Sequence, residues 1–101
     1  MGSQSNETRS TFDSTTGGVM TEEAGAITGE LEAETRSVEG SVEIKVRYAG
    51  ADEWYTVEGS PLESREAKDT DALHERVVEH LQRPGPTANG NEEPVSLKDF
   101  S

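Results

Sequence analysis

Cysteine is absent from the 101 residues, which excludes a disulfide framework, a thiolate zinc site and a thiol nucleophile. Aromatic residues make up 5% and hydrophobic residues in all 30%, well under the roughly 45–50%, glycine included, of ordinary globular chains. A large enzyme core is excluded with them. No apolar run approaches the ~20 residues of a membrane-spanning helix, and residues 1–10 carry neither the basic nor the apolar segment of a secretory signal. The cytoplasm is therefore the expected compartment, with no membrane contact.

Lysine is the other scarcity. Lys45, Lys68 and Lys98 stand beside six arginines, while glutamate occurs 16 times and aspartate five, for a formal charge of −12. A nucleic-acid backbone is bound by replacing its counterions with cationic side chains, so nucleic acid is a disfavoured partner. At about 1 M salt the Debye length falls to about 3 Å, which screens the self-repulsion of such a surface. In this acidic, lysine-poor, arginine-biased composition the chain resembles the small acidic proteins of haloarchaea. That resemblance, which extends over residues 41–85, implies an archaeal, halophilic protein working in molar salt, and no motif in it carries over a site. Low hydropathy with high charge is also the signature of disorder.

Composition divides the chain near residues 40 and 84. Residues 1–20 are rich in Ser, Thr and Gly, with only Phe12, Val19 and Met20 as large apolar groups, too few to offset the entropy of ordering them. Residues 21–40 hold six Glu against one Arg. Residues 1–40 therefore read as an acidic, mostly disordered arm. Within it, residues 26–35 alternate as a solvated, edge-like strand, with Ile27, Leu31, Ala33 and Thr35 on one side and Glu30, Glu32 and Glu34 on the other. A helix is the competing reading, weakened by Gly25 and Gly29 at about 1 kcal/mol each.

From Ser41 the period-two signal is strong. Val42, Ile44, Val46 and Tyr48 alternate with Glu43, Lys45 and Arg47. Ala49-Gly50-Ala51-Asp52 supplies a turn, and residues 54–57 read as the second strand of an antiparallel hairpin. Ser60-Pro61-Leu62-Glu63 has the grammar of a helix start. The packed helix begins after Asp69-Thr70-Asp71, with Leu73, Val77 and Leu81 at i, i+4 and i+8, and Arg83-Pro84-Gly85-Pro86 ends it. Residues 85–101 read as a flexible tail in which Val95, Leu97 and Phe100 either dock back or form a short linear motif.

The expected fold class is α+β: a small antiparallel sheet, made of the hairpin and of a third strand if residues 26–35 join it, packed against one C-terminal amphipathic helix and flanked by disordered acidic arms. The ββα domain spans residues 41–84. Its apolar groups fall short of the entropy cost of ordering it, so more apolar surface must come from residues 26–35, from the tail or from a second copy. A homodimer or a protein partner is expected.

Candidate sites are few. His74 and His80 lie six apart, about 120° around a helix, which does not converge two rings on one metal ion, and neither zinc-protease spacing is met. The many carboxylates sit in solvated runs that supply no shifted acid or base. Ser60 lacks a nucleophile-elbow context. No catalytic, cofactor or metal residue is assigned. Trp54 and Tyr55 are adjacent on a strand and so point to opposite faces; one ring serves the core, and the other either covers Lys45 or Arg47 or anchors an interface. Lys45, Arg47, Trp54 and Tyr55 are the interaction candidates. The expected function is a non-enzymatic protein-interaction module that self-associates. A regulatory protein contacting a transcription factor or nucleic acid through the hairpin face is the alternative, and a small enzyme with a site between subunits is the third reading.

Overall fold

The computed structural model describes residues 7–38, 41–63, 70–85, 87–88, 90–98 and 100. Strand dominates it. The main sheet runs β1 (Glu7–Asp13), β4 (Glu30–Val38) and β5 (Ser41–Tyr48) as antiparallel neighbours, with two short pieces, β6 (Tyr55–Thr56) and β7 (Leu62–Glu63), side by side on the far edge of β5. Between β1 and β4 the chain makes a small separate hairpin, β2 (Val19–Thr21) with β3 (Gly25–Ile27). A single helix, α1 (Thr70–Leu81), follows, and a second small hairpin pairs β8 (Thr87–Ala88) with β9 (Asn91–Glu92).

This corrects the expected fold class. The protein is a sheet-dominated fold with N-terminal strands, not a ββα unit between disordered acidic arms. Residues 7–13 form an edge strand in which Thr8, Ser10 and Phe12 turn toward the core and Glu7, Arg9, Thr11 and Asp13 turn away. Only Phe12 of the inward set is a large apolar group, so hydropathy does not reveal the strand. Two helix side chains satisfy the other two: the Thr8 hydroxyl donates to Asp71, and Ser10 Oγ lies 2.7 Å from His74 Nε2. Cross-strand charge sets the register, with Arg9 opposite Glu34.

The segment 26–35 is also rearranged. Gly29, at φ +111°, breaks it after β3, and β4 begins at Glu30. The alternation within β4 is the expected one, with Leu31, Ala33 and Thr35 buried, but β4 is the central strand rather than an edge. Its row of glutamates is tolerated there because Arg9 of β1 and Arg47 of β5 reach Glu34 and Glu32 from either side. The long hairpin partner of β5 is therefore β4, and residues 54–57 contribute only β6 and a bridge at Val57. The helix start read at Ser60 is a strand: Leu62–Glu63 pairs with β5, and Ser60 Oγ accepts the Ile44 N–H at 2.9 Å. Helix α1 lies where the apolar spacing places it, burying Leu73, Val77 and Leu81.

The tail closes the core. Val95 and Leu97 are 6% and 2% exposed. Val95 exchanges backbone hydrogen bonds with Gly18 and Met20, and the Leu97 N–H donates to Glu58 O at 2.7 Å. The approach depends on Gly59, which has φ +100° and where a Cβ would fall 2.7 Å from the Leu97 carbonyl carbon. The apolar surface that residues 41–83 lack thus comes from Phe12, Val19, Ile27, Leu31 and the tail, inside one chain.

Candidate functional site

The sheet has one buried face and one charged face. Register aligns the charged one in rows: Glu7, Arg36 and Glu43; Arg9, Glu34 and Lys45; Thr11, Glu32 and Arg47; and finally Asp13 with Glu30. Within this lattice Arg9 Nε donates to Glu34 Oε2 at 2.9 Å, and Arg47 reaches Glu32 Oε1 at 2.7 Å. Glu34 is only 8% exposed, and its hydrogen bond to Arg9 raises the Arg9 pKa.

Trp54 and Tyr55 do separate to opposite sides. Tyr55 packs against the hydrophobic core with its hydroxyl donating to Glu53 at 3.1 Å, a contact that raises the pKa of the phenol. The Trp54 ring lies on the charged face, with the Arg47 guanidinium 4.3 Å and the Arg9 guanidinium 5.5 Å from its centroid. Two cations from strands that do not touch are thereby gathered under one indole. Lys45 sits on the same face, opposite Glu34 and Thr56. The four sequence candidates thus come together on neighbouring strands, with three on one face and Tyr55 on the other. With Glu7, Asp13, Glu30, Glu32, Glu34 and Glu43 in the same rows, the face is an ion-pair lattice rather than a cationic track.

Two features escape sequence reasoning: one is assembled across 39 and 64 residues, and the other forms only where the tail meets α1. His74, 3% exposed, is held between Ser10 Oγ at Nε2 and Thr35 Oγ1 at Nδ1, 2.7 and 2.8 Å away. Burial lowers its pKa below the ordinary 6.5, against an opposite pull from Asp71 and Glu75. A neutral imidazole donates through one nitrogen and accepts through the other, and hydroxyls serve both roles. The second feature is a cavity of about 550 Å³ where the C-terminal half of α1 meets residues 94–100, with Arg76, Arg83 and Lys98 in its lining. His80 Nε2 donates there to Ser96 O at 2.8 Å, and its ring meets Phe100 edge-on at 5.3 Å. The two histidines face different parts of the fold, and among the described residues no group of three His, Asp or Glu is placed to hold a metal ion. Nor is any helix among them long and apolar enough to cross a membrane.

Among the described residues the arrangement is that of a small antiparallel-sheet protein with one helix, a charged sheet face partly covered by Trp54, and a cavity lined by cations. Compared with models of known protein families, with curated proteins and with solved structures, the chain matches none.

Proposed function

We propose that the protein is a non-enzymatic interaction module that associates with a second copy of itself through the outer edge of β1, continuing the sheet across a two-fold axis. The charge pattern of that edge carries the reading. Every row that includes a β1 residue contains a cation except the last, where Asp13 and Glu30 stand directly opposite each other. Antiparallel pairing of two β1 strands about Thr11 sets Arg9 of each copy opposite Asp13 of the other. Pairing about Ser10 would instead oppose Glu7 and Asp13, and pairing about Arg9 would oppose the two arginines. Opposed pairs on a sheet contribute roughly 0.2–1 kcal/mol each, with the sign set by their charges.

The far side of the sheet offers no comparable edge. Along β5 the Ile44 N–H is taken by Ser60 Oγ and the Ile44 carbonyl by Val57. On β6 the Glu23 carboxylate accepts both the N–H and the hydroxyl of Thr56, at 2.6 and 2.8 Å. On β1, by contrast, no strand among the described residues pairs with the seven-residue outer edge, and such an edge is a template for another strand.

Sedimentation equilibrium at the lowest KCl concentration that keeps the chain folded tests this, with Asp13→Lys as the variant. The substitution turns the repulsion with Glu30 into an ion pair within the chain and sets Lys against Arg9 across the axis. The expected result is a wild-type dimer and a variant that is more monomeric yet melts no lower as a monomer. A wild-type chain that stays monomeric at millimolar concentration, or a variant that dimerises as strongly as wild type, overturns the reading.

A further inference from the structure

The charge of the chain inverts where the tail meets the end of α1. In a sequence with 21 acidic residues and nine Lys and Arg, the cavity between α1 and the tail is lined by Arg76, Arg83, Lys98 and His80, with Glu79 as the one carboxylate among its described lining residues. The cations do not come from one segment. Arg76 projects from the second half of α1 and Arg83 lies two residues past its end, and Lys98 comes from the tail that docks through Val95 and Leu97. Charges in the last helical turn complement the helix dipole, but that reason does not extend to Lys98, nor to Phe100, whose ring lies under the Arg76 guanidinium at 5.3 Å.

We propose that this cavity binds a small phosphate monoester that carries a planar ring. Three cations against the one carboxylate among the described lining residues match the charge of about −1.5 to −2 that such a phosphate bears at pH 7. Arginine forks fit phosphate oxygens in pairs. Phe100, together with Pro94 and Val95, supplies an apolar wall for the ring, and about 550 Å³ is within the range of small-ligand sites. Two of the cations, Arg83 and Lys98, have exchangeable partners. Arg83 meets Glu79 at 3.1 Å with both side chains 70% exposed, and Lys98 meets Glu58 at 3.8 Å with its own side chain 70% exposed; exposed pairs of this kind are worth only about 0–1 kcal/mol.

The test is an NMR titration of the full chain, at the lowest KCl concentration that keeps the folded amide spectrum, with phenyl phosphate, inorganic phosphate and benzyl alcohol as probes. Phenyl phosphate should give saturable shifts confined to the end of α1 and residues 94–100. Inorganic phosphate should shift the same signals with weaker affinity, and benzyl alcohol should shift none. Lys98→Gln should weaken phenyl phosphate about tenfold, the loss of one charge-assisted contact, and Phe100→Leu should remove its advantage over inorganic phosphate. No saturable shift at millimolar phenyl phosphate, or an affinity untouched by Lys98→Gln in a chain whose spectrum remains folded, overturns the proposal.

Discussion

A single buried imidazole ties the N-terminal strand, the central strand and the helix together. His74 is satisfied by Ser10 and Thr35 whichever of its nitrogens carries the proton, and when both do, the two hydroxyls can both accept. The cost of protonating it is therefore desolvation rather than a lost hydrogen bond, which is why its pKa falls. Between that lowered value and the ordinary 6.5 the unfolded chain binds more proton than the folded one, so stability rises with pH across the window. The contribution is fully present above about pH 6.5 and is lost as pH falls toward the folded value. Urea midpoints from pH 5 to 7.5 should therefore rise with pH in the wild type, and His74→Gln should flatten the rise while lowering the midpoint throughout. An equally steep rise in the variant would assign the effect to the carboxylates instead.

Trp54 offers a second residue-scale measurement. Its indole covers the Arg47–Glu32 pair, whose side chains are 22% and 20% exposed. Trp54→Ala removes a cation–π contact worth about 0.5–1 kcal/mol at such sites and opens the pair to solvent. A loss of about 1 kcal/mol in urea unfolding is expected, together with a steeper dependence of stability on ionic strength. No change in either would mean that the ring rests on the surface without holding the lattice.

At the scale of elements, legibility follows the side chains that face the core. β5 and α1 can be read because Val42, Ile44 and Val46, and then Leu73, Val77 and Leu81, carry the period in their hydropathy. β4 shows its alternation but not its place, since a row of Glu reads as a solvated edge until Arg9 and Arg47 are set beside it. β1 is hidden because two of its three inward residues are hydroxyls whose partners lie some sixty residues away on α1. The Ser60 segment misleads because Ser-Pro-x-Glu serves a helix cap and a strand entry equally well, and here the Ser hydroxyl goes to the Ile44 amide. The same limit applies to the sites. Period two places Trp54 and Tyr55 on opposite faces, whereas the cavity exists only once the tail lies against the end of α1.

For the whole molecule, the charge of −12 is distributed rather than diffuse. One face of the sheet pairs most of its carboxylates in rows with arginine or lysine, the cavity gathers cations, and Asp13 and Glu30 are left opposed at the rim. The core is complete within one chain, so association is not needed to supply apolar surface. Its role in the proposed dimer is to complete the charge rows and the open backbone of β1.

Residue-resolved amide hydrogen exchange at low and high protein concentration, in molar KCl, tests the role of β1 most directly. At low concentration the amides of residues 7–13 should alternate, with those bonded to β4 protected and those on the outer edge exchanging freely. At high concentration the outer set should become protected as a second β1 pairs with it. Alternation that persists unchanged at high concentration, or uniformly fast exchange along residues 7–13, would contradict the paired edge.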